Sequence, residues 1–141
     1  MLVRLLYASR AADKNSTELV NSIMAQAREH NPSRGLTGIL CYSEDIFVQV
    51  IEGGRDCVNA LYAKILRDPR HCQVELLHYE EIIARRFGCW TMGQVNLAKL
   101  NTSVLLKHSE LPELNPFAVS GQMSMALLDE LIATASIVGR T

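Results

Sequence analysis

The chain has no glycine-rich phosphate loop, no GxGxxG fingerprint and no GxSxG elbow, which removes the commonest nucleotide-binding and hydrolase signatures. Its four cysteines, Cys41, Cys57, Cys72 and Cys89, include no CxxC pair, so neither a zinc site nor a disulfide framework is expected. No basic stretch precedes an apolar run at the start, so no secretory leader is expected and a cytoplasmic location follows. No apolar run approaches the ~18 residues of a membrane span. Charge of one sign is not in excess. A formal net charge of −1 gives no bulk attraction for nucleic acid or anionic membrane.

What is present fits one globular unit. The chain has 141 residues, 48% of them hydrophobic and 21% charged, which is enough for a core and a ligand pocket. Residues 2–8 read as a first strand. Asn15, three residues before Glu18, resembles a capping box, and Leu19, Ile23 and Ala27 continue at helical spacing to His30. Asn31-Pro32 is expected to stop that helix, because proline disfavours helical dihedrals in the residue before it. Residues 36–42 and 47–52 read as a hairpin around Ser43-Glu44-Asp45. After Gly53-Gly54, a second amphipathic helix carries Val58, Leu61, Tyr62, Ile65 and Leu66 and ends near Asp68-Pro69. Strands are expected at about 73–80 and 86–95.

The order predicts an α+β, ferredoxin-like β-α-β-β-α-β fold with an additional fifth strand and both helices on one sheet face. Residues 1–95 form that unit and 96–141 a helical C-terminal extension. Within the extension, a short helix is expected in 96–108. After Pro112 and Pro116, a last amphipathic helix presents Met125, Leu128, Leu131, Ile132 and Ala135. This stripe is expected to pack on the uncovered face of the sheet. The roughly 45 residues beyond the fifth strand are too few for a cyclase or phosphodiesterase, so any output leaves through a surface.

Phe47, Gln49 and Ile51 share one face of the third strand and Val48 and Val50 the other, so Gln49 lies among hydrophobes in a covered central strand. A buried amide requires partners, either backbone or the polar edge of a ligand. Tyr7 closes the first strand and, once buried, requires a partner for its hydroxyl. First and third strands are neighbours in this fold order, which brings Tyr7 beside Gln49. Asn31 suits a turn or the donor–acceptor edge of a heterocycle. Asp68, Arg70 and His71 cluster at the end of the second helix, where Arg70 and His71 suit a phosphate or a solvated loop. Trp90 and Met92 share a face of the expected fifth strand, as packing residues.

Taken together, LLYASRA at 5–11, HNPSRGLTGILCYSEDIFVQVIEG at 30–53, LRDPRHCQVELL at 66–77 and RRFGCWTMG at 85–93 resemble the BLUF family, sensors of blue light using FAD. The resemblance covers most of residues 1–95. It implies a photoreceptor, not an enzyme, with a flavin held non-covalently between the two helices. FAD is the expected form, FMN or riboflavin the alternatives. By position, Tyr7 matches the photoactive tyrosine, Gln49 the switching glutamine and Asn31 the residue on the ring edge. His30, Asp68, Arg70 and His71 match further positions around the ring or its side chain. Trp90 and Met92 match the strand that exchanges contacts near the glutamine. A homo-oligomer and a separate downstream protein are the expected partners. A light-insensitive ferredoxin-like binding module, which would be colourless, and a small flavin enzyme, which would turn over in darkness, are the rival readings.

Overall fold

The computed structural model describes residues 1–13, 16–97 and 102–133. Five strands and four helices follow in the order β1 (Leu2–Ala11), α1 (Ser16–Arg34), β2 (Thr37–Ser43), β3 (Ile46–Gly54), α2 (Arg55–Arg67), β4 (His71–Ile82), β5 (Gly93–Asn96), α3 (Thr102–His108) and α4 (Gly121–Ala133). The sheet order is β4-β1-β3-β2-β5. β1 pairs antiparallel with both β3 and β4, β2 pairs antiparallel with β3, and β5 adds in parallel to β2. This is the expected ferredoxin-like arrangement with its fifth strand at one edge.

Strand alternation sorts the core by face. Val3, Leu5, Tyr7 and Ile51 pack under α2 with Val58, while Leu40 and Phe47 pack under α1 with Leu19, Val20, Met24 and Ala27. Leu6, Ala8, Ile39, Cys41, Val48 and Val50 point to the opposite face. There they meet Phe87, Trp90, Leu105 of α3 and Met125, Leu127 and Leu128 of α4. The tail helices therefore complete a third layer, and Met125 and Leu128 pack on the sheet as their spacing predicts. Asn15, Ala135 and residues 98–101 lie outside the described residues, as do the side chains of Leu131 and Ile132.

β1 runs on to Ala11 and β4 spans His71–Ile82, both longer than expected, and two further boundaries differ from the sequence reading in ways that bear on the site. α1 runs through Pro32 to Arg34. In the last helical turn, proline forfeits only one backbone bond, and the stop comes from Gly35 instead. Gly35 adopts φ +64°, its N–H reaches the Pro32 carbonyl at 3.3 Å, and the Leu36 N–H reaches the Asn31 carbonyl at 3.0 Å. That pair of bonds is a Schellman cap, which requires a residue tolerant of left-handed backbone.

The expected strand at 86–95 is also shorter, starting at Gly93. Residues 86–91 give several of their backbone groups to side chains and make a single bond to β2, not a continuous ladder. The Arg86 and Phe87 N–H groups donate to the Glu52 carboxylate at 3.1 and 2.6 Å. The Trp90 carbonyl accepts the Gly38 N–H at 3.1 Å, and the Thr91 carbonyl accepts from Asn31 Nδ2 at 3.1 Å. Period-two alternation therefore does not apply here. Trp90 belongs to the tail-covered face and Met92 to the α1-covered face, so the two do not share a face as expected.

Gly38 sits where two backbones approach closely. A Cβ there would lie 2.0 Å from the Val50 carbonyl oxygen. Gly38→Ala is expected to destabilise the fold by at least about 1–3 kcal/mol, the range for overpacking. A urea unfolding curve with an unchanged midpoint would contradict that.

Candidate functional site

A cleft of about 220 Å³ opens between α1 and α2 above the sheet. Tyr7, His30, Asn31, Gln49, Asp68, Arg70, His71 and Met92 all line it, so eight of the nine sequence-selected residues converge on one place. Trp90 does not line it; it packs on the far face of the sheet, 6.5 Å from Phe87 between ring centroids.

The floor is built by strand pairing. Tyr7 of β1 and Gln49 of β3 are direct cross-strand partners, so their side chains rise together on the helix-covered face. The Tyr7 hydroxyl donates to Gln49 Oε1. Gln49 Nε2 donates to Met92 Sδ at 3.4 Å. Tyr7 is 0% and Gln49 3% exposed. Among the described residues the amide is thus held on its oxygen side by a phenol, and on its nitrogen side only by a thioether, a weak acceptor.

Burial pushes the Tyr7 phenol far above its ordinary range, with smaller contributions from Tyr62 and Asp68 in the same direction. The phenol therefore keeps its proton at any physiological pH. Its one hydrogen bond among the described residues points that proton at Gln49 Oε1.

The α1 end contributes Asn31, which is buried, lines the cleft and has its Nδ2 anchored on the Thr91 carbonyl. At the other end, Asp68 caps α2. Its carboxylate takes the Arg70 backbone N–H at 2.9 Å and the guanidinium at 2.6–3.0 Å. The hydrogen bonds from Arg70 hold Asp68 below the usual carboxylate range, and the same bond raises Arg70. Arg70 also reaches Ser22 of α1 at 2.6 Å, tying the two helices across the mouth. His71 Nδ1 meets Ser9 Oγ at 3.0 Å.

Burial lowers His71 from its ordinary 6.5, opposed in part by Asp68 and reinforced by Arg70. The unfolded chain then binds a proton near pH 6.5 that the folded chain takes up only at lower pH. Stability is fully present above that pH and falls as pH drops below it. Urea midpoints at pH 7.5 and pH 5.5 should differ in the wild type, and His71→Gln should reduce the difference.

The apolar walls were legible only as core. Ile23 and Ala27 from α1 and Leu61 and Ile65 from α2 face each other across the cleft, where the sequence reading assigned their stripes to helix packing. Ser9 was missed; its signal was the parity it shares with Tyr7 on β1. Two opposed apolar walls, amide and phenol groups on the floor and cations at Arg34, Lys64 and Arg70 suit a flat, polar-edged heterocycle with an anionic side chain.

No helix among the described residues is long and apolar enough to cross a membrane. No cluster of His, Cys, Asp and Glu among them could hold a metal ion.

The family model for sensors of blue-light using FAD matches residues 2–93. Subunit beta of a photoactivated adenylate cyclase from Euglena longa is 37% identical over 102 residues, 72% of this chain and 12% of that protein. The blue light- and temperature-regulated antirepressor BluF of Escherichia coli K12 is 33% identical over 88 residues, 62% of this chain and 22% of that protein. The chain thus spans less than a quarter of either curated relative. Two solved structures match over nearly their whole length. BlsA in its photo-activated state has a TM-score of 0.82 at 32% identity, covering 94% of this chain and 95% of that one. BlrB, a BLUF protein in its dark state, has a TM-score of 0.79 at 34% identity, covering 95% and 96%. With this cleft and the matched span, the chain belongs to the BLUF family, the sensors of blue light using FAD.

Proposed function

We propose that the chain is a blue-light photoreceptor in which Tyr7 and Gln49 form the switch beneath a non-covalently held flavin, with residues 1–95 as the sensor and 96–141 as its helical extension. The observation that carries this is the buried chain from Tyr7 Oη through the Gln49 amide to Met92 Sδ, opening on the α1/α2 cleft. FAD is the proposed form. Asn31 holds the ring edge, the apolar walls clamp its faces, and His30, Asp68, Arg70 and His71 surround the ring or its side chain.

Bound in the cleft, flavin supplies blue absorption and an excited state that accepts an electron. Tyr7 is the donor within the site, and its proton moves along the hydrogen bond to Gln49 Oε1. The amide then rearranges, by rotation or by tautomerisation. The weak contact of Nε2 with Met92 sulfur makes that rearrangement inexpensive on one side. The purified protein is expected to be yellow, to release intact flavin on heating and to shift reversibly to the red under blue light. A colourless protein that refuses added FAD would end this reading.

The output route proposed is the segment 86–92. Met92 at its end touches the amide. Glu52 clamps its start, and Arg86 Nη1 pairs with both Asp129 oxygens of α4 at 3.0 and 3.1 Å. A rearranged amide biases this segment, and through it the tail helix, as a two-state element. The proposed partners are a second copy of the chain and a separate cytoplasmic protein. Light scattering after size exclusion, in darkness and in blue light, is expected to show an oligomer, and a pull-down a light-dependent partner. Asp129→Asn is expected to weaken the light–dark difference while leaving the red shift. A strict monomer with identical binding profiles in both states would remove this output model.

A further inference from the structure

We propose that Tyr62 is a second redox-active phenol, refilling Tyr7 after light-driven oxidation and carrying the oxidising equivalent to the protein surface. The inference rests on the reading of the cleft as a flavin site.

Three observations carry it. The Tyr7 and Tyr62 rings lie 5.7 Å apart between centroids, tilted by 49°, which is direct aromatic contact. Tyr62 on α2 packs against the cluster that contains Tyr7, yet it does not line the cleft, whereas Tyr7 does. Tyr62 therefore touches the first donor without itself lining the cofactor space. Finally, Tyr7 is wholly buried while Tyr62 is only half-buried. Among the described residues, no hydrogen-bond acceptor holds the Tyr62 hydroxyl, so water is the base available to it.

These positions dictate an order. A flavin held in the cleft would supply the oxidant when excited, and Tyr7 is the tyrosine that lines that cleft. Tyr7 loses an electron to it and a proton to Gln49 Oε1, becoming a neutral phenoxyl. Tyr62 then gives one electron to Tyr7, which recovers its proton from Gln49. The Tyr62 hydroxyl releases its own proton to water. Tyr7 ends as the intact phenol and Tyr62 as the neutral phenoxyl, with one electron and one proton accounted for at each step. The same contact thus offers a branch that competes with return of the electron to Tyr7. It strands the charge separation and withdraws a molecule from the switching cycle.

The four tyrosines, at 7, 42, 62 and 79, fall in different tryptic peptides, with Tyr62 in 56–64 and Tyr7 in 5–10. The flavin-loaded full chain is illuminated with a nitroso spin trap, and adducts are located by mass spectrometry alongside the absorption spectrum. The expected result is an adduct on peptide 56–64 in the wild type that is lost in Tyr62→Phe and falls to background in Tyr7→Phe. An adduct that persists in Tyr7→Phe would mean direct oxidation of Tyr62 and overturn the relay. So would an intact red shift with no adduct at Tyr62, or labelling of Tyr42 and Tyr79 equal to that of Tyr62. A protein that neither binds flavin nor shifts its spectrum overturns the parent reading and this one together, and the spectrum distinguishes that failure from the others.

Discussion

Gln49→Leu is expected to leave the protein folded and yellow and to erase the reversible red shift. Leucine keeps a comparable apolar volume at a position that is 3% exposed, so the packing of β3 under the helices survives. What disappears is the only side-chain acceptor of the Tyr7 hydroxyl among the described residues. An orphaned buried hydroxyl costs about 1–3 kcal/mol, which a domain of ordinary stability tolerates. On the proposed mechanism the loss of the shift should be total, because the Tyr7 proton would have nowhere to go. Burial holds that phenol protonated, so electron loss without a proton acceptor leaves an unstable buried cation. Tyr7→Phe should fail from the other side, by removing the donor. Met92→Leu tests the weak arm of the same amide. It deletes the thioether acceptor but leaves the Tyr7 bond, so the shift should persist with an altered dark-recovery rate. Illuminated-minus-dark difference spectra separate Met92→Leu, which keeps the shift, from the two variants that lose it. A wild-type shift in Gln49→Leu would refute the proposed role of the amide.

The parts of this molecule that were legible in its sequence are those set by short-range periodicity. Alternation along 47–51 put Gln49 on the helix-covered face, and fold order put β1 beside β3, so the Tyr7–Gln49 pairing was readable in the sequence. The spacing of Met125 and Leu128 was likewise sufficient to predict a face packed on the sheet. Legibility failed where backbone groups bond out of register. Residues 86–92 look like a strand by composition, but the Glu52 carboxylate takes two of their amides. That contact spans more than thirty positions, which no local pattern reveals. Trp90 and Met92 were assigned one face for that reason and occupy two. The helix stop was misplaced because Pro32 is the more conspicuous signal, although Gly35 is the residue with left-handed backbone. The cleft walls could not be told from core, since a helix stripe that faces a flat ligand has the same spacing as one that faces a neighbour.

Glu52→Ala is expected to be the most destabilising single substitution outside the cleft. Glu52 is 0% exposed and Arg4 3% exposed, on the tail-covered face of adjacent strands. Arg4 donates to Glu52 at 2.6 and 2.7 Å and reaches Glu80 on β4 with its other nitrogen. The remaining capacity of the Glu52 carboxylate goes to the Arg86 and Phe87 amides. Removing it leaves a nearly buried guanidinium with Glu80 alone, and two backbone donors near the core without their acceptor. Breaking one side of a buried ion pair costs about 3–5 kcal/mol, a large part of the ~5–15 kcal/mol that holds an ordinary domain folded. Arg4→Met combined with Glu52→Leu removes both charges and should recover only part of the loss, because the two amides stay unsatisfied. That partial recovery distinguishes the clamp on residues 86 and 87 from the ion pair itself. Glu52→Gln should be milder, since the amide oxygen can still accept one of the two backbone bonds. Denaturant midpoints rank the three variants, and Glu52→Gln adds a second readout. With the start of the segment loosened and Met92 still against Gln49, its red shift should survive while its dark recovery changes. Equal stability for Glu52→Ala and wild type would show that the clamp holds nothing.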